Sequence, residues 1–191
     1  MNITSFIFYC FIVTFTPGPT NIVILSTVHN SGTKKAMEYT YGATIAFGFL
    51  LAISAMLNTI LATVLPKILI VMQILGSFYM LYLAYQVYKM DSSKSTVKQT
   101  GTFISGFLTQ FLNPKVVLFT ITVIPTYIMP YYSSISAVTI GVMAITVIGF
   151  LAFITWVLFG AIFKEFLQKH KKIVNVLMAL FLVYAAIIIW V

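Results

Sequence analysis

The sequence is poor in charge, and in negative charge above all. Of its 191 residues only three are aspartate or glutamate, and charged residues make up 7% of the chain. A typical soluble domain is about 25% charged. Hydrophobic residues make up 61% of the sequence. This composition predicts an integral membrane protein, and at about 20 residues per helical span the length allows about six spans and no soluble domain.

The single cysteine, Cys10, excludes a disulfide, a CxxC redox pair and a cysteine metal site within the chain. The sequence also lacks the Ser/His, paired-Asp and His-Glu-x-x-His arrangements that indicate an enzyme. The net charge of +8 does not indicate a nucleic-acid binder, because the lysines are spread over short loops. We therefore predict no enzymatic activity, no metal, no cofactor and no nucleic acid. The first apolar segment has no lysine before it and no cleavage site after it, so it is not predicted to be a signal peptide.

The first apolar segment, residues 11–25, contains Pro17, Gly18 and Pro19 at its centre. Two prolines around a glycine cannot continue a regular helix, because each proline lacks a backbone donor and clashes with the preceding turn. We predict that the first span is broken into two half-helices at membrane depth.

A second interruption lies in residues 103–127, where Asn113, Pro114 and Lys115 follow one another about ten residues into an apolar run. A lysine at the centre of a span is penalised by roughly 2.5–3.5 kcal/mol on insertion scales, so it usually has a partner, an aqueous cavity or a function. The proline leaves backbone carbonyls free near that charge. Two broken spans at matching positions indicate the substrate site of a transporter.

Six spans are predicted, at about 3–28, 37–63, 67–88, 103–129, 135–163 and 173–191. The loops between them alternate in charge, since nine lysines lie in the first, third and fifth loops, only Lys67 lies in the second and none lies in the fourth. Lysine-rich loops face the cytoplasm, so we predict a multi-pass protein of the bacterial inner membrane with both termini outside. The nine lysines are Lys34, Lys35, Lys89, Lys94, Lys98, Lys164, Lys169, Lys171 and Lys172.

The polar segment 89–102 divides this single membrane domain, residues 1–191, into halves of about 1–88 and 103–191 joined by a cytoplasmic linker. Each half has an odd number of spans, so the two must cross the bilayer in opposite senses. Matches about 100 residues apart, such as Pro17 with Pro114 and Gly42 with Gly141, support a repeat. The predicted fold is all-α, with six transmembrane helices as two inverted three-helix repeats in which the first and fourth helices are broken.

Small residues four apart, Gly42/Ala46 and Ala137/Gly141, allow close contact between helices. Packing within the chain explains them, and a homodimer interface is the alternative.

The two interrupted motifs stand in the order found in a known family, and together with the flanking residues the match covers nearly the whole chain. The sequence resembles the LysE/RhtB family of amino-acid exporters, and within it most closely the cysteine and O-acetylserine exporter branch. The resemblance implies a six-span secondary exporter that uses the proton gradient. Thr20 stands where the family motif has asparagine or another polar residue. The motifs are Thr16-Pro17-Gly18-Pro19-Thr20-Asn21 and Gly106-Phe107-Leu108-Thr109-Gln110-Phe111-Leu112-Asn113-Pro114-Lys115.

Lys115 is the leading candidate for substrate binding. The carboxylate of a zwitterionic amino acid needs a cation, and an ammonium beside a half-helix N-terminus supplies charge and donors together. Snorkelling to the inner interface, or capping of carbonyls that the proline leaves free, is the alternative explanation for this lysine. The other predicted substrate-binding residues either break a helix or carry an amide; they are Pro17, Gly18, Pro19, Asn21, Gln110, Asn113 and Pro114.

Proton coupling is harder to place, because no aspartate or glutamate lies deep in a predicted span. Glu38 and His29 lie near the predicted inner face and can titrate there. Lys115 is the third candidate, since burial favours its neutral form.

The predicted function is a secondary-active exporter of small neutral amino acids of the cysteine, O-acetylserine, serine or threonine type. It would carry its substrate from the cytoplasm to the outside by alternating access. An exporter of a metal or other ion on the same fold is one alternative, although it needs carboxylates, histidines or cysteines at membrane depth. A membrane assembly subunit without transport activity is the other.

Overall fold

The computed structural model describes residues 3–89, 101–132, 134–188 and 190, and these are helical for almost their entire length. The connections between the helices are short, so most of the backbone is hydrogen-bonded within a helix. A bilayer requires this, because it offers no water to bond free backbone groups. The helices are α1 (Ile3–Phe15), α2 (Pro19–Ser31), α3 (Thr33–Lys89), α4 (Phe103–Phe111), α5 (Pro114–Val123), α6 (Ile135–Ile162), α7 (Lys164–Lys169) and α8 (Lys171–Ile188), with a π-helical turn at Ile124–Ile128 after α5.

Both predicted interruptions are present. The axes of α1 and α2 differ by 49°, and those of α4 and the segment Pro114–Ile128 differ by 65°. Each second half-helix begins with a proline, Pro19 or Pro114, at a position where the missing N–H costs nothing. Gly18 and Asn113 precede these prolines with extended backbone, which ends the preceding helical path.

The boundary inside α3 differs from the prediction. The helical backbone runs from Thr33 to Lys89 and is broken at Leu57, whose φ of −107° and ψ of 18° are not helical. We predicted the boundary at residues 64–66, before Lys67, because Pro66 and Lys67 resemble a loop. The break instead precedes Asn58, a residue type favoured in turns.

The described helices are long and apolar enough to cross a membrane in two to four places. Thr33–Leu57 and Ile135–Ile162 qualify alone, and each of the two bent pairs qualifies if it forms one span. The predicted fifth loop contains the short helix α7. Most of the predicted linker, residues 90–100, lies outside the described residues.

Helix α2 lies at the centre of the molecule. Every residue from Pro19 to His29 is buried, whereas most of α1 is exposed. The neighbours of α2 are α3, α6 and α8, and their apolar side chains form one core with it. Seven of the thirteen residues of α2 nevertheless carry polar side chains, and in a helix that is buried along most of its length such groups need partners.

The closest contact between helix backbones joins α3 and α4. A Cβ atom on Gly42 would overlap the carbonyl group of Phe103, and one on Gly106 would overlap the carbonyl group of Tyr39. Both glycines therefore allow the two helices to touch along their backbones. The predicted packing role of Gly42 within the chain is confirmed.

Candidate functional site

The two helix breaks face each other. The Lys115 ammonium, at the start of α5, donates a hydrogen bond of 3.0 Å to the carbonyl oxygen of Thr16, just after α1. The two residues are 99 positions apart in the sequence. The carbonyl is free to accept because α1 ends at Phe15 and the break around Gly18 interrupts the helical hydrogen-bond pattern. The break in one half of the chain thus supplies the partner for the charge in the other half.

The exposed carbonyls at the end of α1 are satisfied by side chains from three other helices. Asn21 of α2 donates its amide to the carbonyls of Thr14 at 3.4 Å and Thr16 at 3.0 Å. Trp156 of α6 donates its indole N–H to the carbonyl of Phe15 at 3.3 Å. With Lys115, these contacts account for the carbonyls that a helix end leaves unpaired inside an apolar medium.

Thr20 joins α2 to the second break. Its hydroxyl oxygen accepts one hydrogen bond from the Gln110 amide at 3.0 Å and another from the Asn113 amide at 3.2 Å. Asn113 also caps α5, because its side-chain oxygen accepts the backbone N–H of Lys115 at 3.2 Å. All three polar side chains are buried, so each bond replaces one that water would make.

Two cavities meet at these residues. The smaller has a volume of about 30 Å³ and is lined by polar groups of Thr14, Thr20, Asn21 and Lys115 together with apolar side chains. The larger has a volume of about 160 Å³ and lies on the side of Pro17, Pro19 and Pro114. Gly18, Asn113 and Lys115 line both. About 10–15 Å³ is enough for one water molecule, so the smaller cavity has the size of one or two waters.

The residues that line the smaller cavity carry both donors and an acceptor. No side chain caps the N-terminus of α2 at Gly18, so the first N–H groups of this helix are available to a ligand. The side-chain oxygen of Asn21 is buried and has no hydrogen-bond partner among the described residues. The cavity therefore offers an ammonium group, a helix N-terminus and an unused amide oxygen to a small molecule.

The comparisons with known proteins agree with this geometry. The family model for the LysE type translocators matches residues 11–191. The chain belongs to this family. The LysE type translocator described here is therefore a transporter and not an enzyme, and its apolar helices make it a multi-pass membrane protein of the bacterial inner-membrane type.

Two relatives of this LysE type translocator carry the same functional name. A "Cysteine/O-acetylserine efflux protein" of Salmonella paratyphi A (strain ATCC 9150 / SARB42) is 30% identical over 190 residues, which cover 98% of this chain and 96% of the relative. The protein of that name from Escherichia coli (strain K12) is 26% identical over 191 residues, covering 97% and 95%. The sequence resemblance is thereby confirmed. No solved structure matches the chain.

The structure of the translocator brings all eight predicted substrate-binding residues to the two breaks. Seven of them line one or both cavities, and the eighth, Gln110, is bonded to Thr20 behind the wall. Of the two alternatives for Lys115, the structure shows the capping of a free carbonyl, because the ammonium donates to the carbonyl of Thr16.

Two proton-coupling candidates lie apart from these breaks. Glu38 is near the start of α3 and forms an ion pair of 2.6 Å with Lys35. His29 lies near the end of α2 and is only 4% exposed. Both of its ring nitrogens are without a hydrogen-bond partner among the residues described. A buried imidazole without partners is rare in proteins and needs an explanation.

Sequence reasoning missed three residues of the site. Thr20 was noted only as a departure from the family motif, and Thr14 and Trp156 were not considered. Their roles depend on partners that are distant in sequence, such as Gln110 for Thr20. A polar residue inside an apolar span was the available signal for both threonines, because such a group must find a partner.

Proposed function

We propose that this chain is a secondary-active exporter of small neutral amino acids, which moves its substrate from the cytoplasm to the outside in exchange for protons. The observation that carries the proposal is the bond between Lys115 and Thr16 across the two broken helices. An ammonium that is held by a backbone carbonyl has a partner that a substrate can replace. The names of the relatives, which are efflux proteins for cysteine and O-acetylserine, support the choice of substrate class.

The substrate carboxylate would bind the Lys115 ammonium and the free N–H groups at the start of α2, where the helix dipole also favours an anion. The substrate ammonium would bind the unused oxygen of Asn21. The described residues that line the two cavities carry one formal charge, that of Lys115. A second cation on the substrate would be repelled by it, so a neutral side chain is favoured over lysine or arginine.

The small volume of the polar cavity supports alternating access. At about 30 Å³ it has no room for an amino acid, so binding requires the half-helices to separate. Such a movement would exchange the few side-chain bonds that join the bent helices and would repack the apolar contacts of α2. The proposal includes six spans in two inverted repeats, 1–88 and 103–191, with the lysine-rich loops in the cytoplasm and both termini outside.

Efflux of labelled amino acids from preloaded cells tests the proposal. We compare the wild type with Lys115→Ala, Lys115→Arg and the control Lys169→Ala at matched abundance in the membrane. Lys169 is an exposed lysine at the end of α7, so its loss removes a charge without touching the cavities. Loss of the carboxylate partner should lower efflux of neutral amino acids by about tenfold or more in Lys115→Ala.

Lys115→Arg should retain part of that efflux, because it keeps the charge but has a different shape. Lys169→Ala should match the wild type. Wild-type cells that export no amino acid in the panel, or Lys115→Ala cells that export as fast as the wild type, would show that the proposal is wrong.

A further inference from the structure

The larger cavity beside Lys115 has an apolar wall. Besides the three prolines, it is formed by Ile22, Met80, Phe181 and Ala185. Ile22 and Met80 are buried, so their side chains shape the cavity from inside the protein. α8 contributes the opposite wall. A cavity of this kind offers dispersion contacts to a ligand and little hydration.

The polar groups in that wall are already in use. The side-chain oxygen of Asn113 accepts the backbone N–H of Lys115, and its amide donates to the hydroxyl of Thr20. The Lys115 ammonium is bonded to Thr16 and, under the proposed function, is reserved for a carboxylate. Among the side chains, the hydroxyl of Tyr184 is the remaining polar group at the edge of the cavity. A ligand group that enters here therefore finds few hydrogen-bond partners, and a hydroxyl or a charge would lose its hydration without replacement.

The cavity is open on the side of α8, where Phe181 and Tyr184 are exposed, so its volume indicates the size of the group that it can cover. A dry apolar cavity of about 150 Å³ in another protein holds benzene, which has six carbon atoms. The cavity described here has about 160 Å³. It therefore has room for a side chain of up to about six non-hydrogen atoms.

We propose that this cavity, walled by Met80, Phe181 and Ala185, binds the side chain of the exported amino acid and selects uncharged aliphatic, thioether or acyl-ester side chains over short hydroxylated ones. The inference rests on the proposed function, because Lys115 must hold the carboxylate for the side chain to reach the cavity. Since Lys115, Gly18 and Asn113 line both cavities, the charged head and the side chain of one amino acid lie on opposite sides of the same three residues.

Purified protein in proteoliposomes tests the proposal, with efflux of labelled L-alanine, L-serine, L-methionine and O-acetyl-L-serine measured separately. The wild type should prefer methionine and O-acetylserine over serine by about tenfold. Ala185→Leu fills the cavity from α8 and should lower methionine efflux relative to alanine efflux by about tenfold. Ala144→Leu makes the same change at an exposed position of α6 and should leave that ratio at the wild-type value.

Met80→Ala is the second variant, because it enlarges the cavity instead of filling it. It should raise the efflux of L-phenylalanine relative to that of L-methionine. Met80→Ala still tests the proposed role of the cavity if Ala185→Leu does not reach the membrane. An unchanged methionine-to-alanine ratio in Ala185→Leu, an unchanged phenylalanine-to-methionine ratio in Met80→Ala, or a wild type that prefers serine overturns the assignment of the cavity.

The outcome for Lys115→Ala separates this inference from the proposed function. Loss of the carboxylate site lowers efflux of all four amino acids together, whereas a change in the cavity alters their ratio. If the wild type exports none of them and Lys115→Ala has no effect, both the proposed function and the proposed role of the cavity are wrong. If efflux depends on Lys115 but neither cavity variant changes the ratios of the efflux rates, the proposed function stands and only the role of the cavity is wrong.

Discussion

The amide of Asn113 donates a hydrogen bond of 3.2 Å to the hydroxyl of Thr20, which lies 93 positions earlier in the chain. Both residues directly adjoin a proline that begins a half-helix, Pro114 and Pro19. The bond therefore links the two half-helix starts directly, and with the Gln110 contact it fixes their relative position inside the apolar core. Its removal would leave buried donors without an acceptor.

We predict that Thr20→Val lowers stability and Thr20→Ser does not. Valine has the shape of threonine but removes the acceptor of both amides, which costs about 1–3 kcal/mol for each buried donor left unpaired. The change in the free energy of unfolding is measured by unfolding the purified protein in mixed micelles with increasing amounts of a denaturing detergent.

A second variant, Asn113→Ser, tests the bond from the other side, because serine keeps a good capping residue and shortens the side chain. The double variant with Thr20→Val should be less destabilised than the two single changes added together, and simple additivity would argue against a direct bond.

Trp156 should report substrate binding by its fluorescence. The protein has two tryptophans, Trp156 and Trp190, and the first donates to the end of α1 beside the Lys115 partner. Trp190→Phe leaves Trp156 as the single emitter. Addition of a transported amino acid should change its emission saturably, because separation of the half-helices alters the Phe15 contact. The variant Lys115→Ala in the same background serves as the control and should show no saturable change. A flat response in a protein that still transports would contradict this placement of Trp156.

Gly106→Ala and Gly42→Ala should each lower the unfolding temperature by several degrees. Either added methyl group would overlap a backbone carbonyl of the facing helix, and a backbone cannot move aside as a side chain can. Gly48→Ala is the matched control, because its methyl group would meet the Thr146 side chain at 3.2 Å. The control should be affected less than either of the other two variants.

The unfolding temperatures of the three glycine variants can be measured through the single cysteine. Cys10 is fully buried, so a thiol-reactive fluorophore should label it only as the protein unfolds on heating. Equal unfolding temperatures for Gly42→Ala, Gly106→Ala and Gly48→Ala would show that the contact between α3 and α4 is less close than described.

His29→Phe should retain transport and lose much of its dependence on pH when efflux is measured between about pH 5 and 8, because histidine is the side chain whose charge most readily changes there. The ring nitrogens of His29 have no partner among the described residues, so an apolar ring of similar shape should fold at least as well. His170→Phe is the control, since the other histidine of the chain is exposed at the junction of α7 and α8. Efflux rates over this pH range measure both variants. A profile for His29→Phe that coincides with the wild type would remove His29 from the proton-coupling candidates.

The two helix breaks could be predicted from the sequence because their cause is local. Proline lacks a donor whatever surrounds it, so Pro17, Pro19 and Pro114 mark their own breaks. The break at Leu57 could not be predicted in the same way, since neither proline nor glycine adjoins it. The bonds of Thr20 depend on residues about 90 positions away, and no local pattern specifies such a partner. Lys115 was predictable because a charge in an apolar span must have a partner, although the identity of that partner was not.

One residue, Gly32, separates α2 from α3, and its φ of 87° lies in the region that favours glycine. Its N–H bonds back to Val28 and its carbonyl accepts from Ala36, so both helices are anchored to the same joint. With so short a connection, the C-terminal end of α2 cannot be displaced without pulling on the start of α3. Any opening at this end must therefore move α2 and the first part of α3 together. The opposite end of α2 adjoins Pro17 and Gly18, which line the cavities where the substrate would bind.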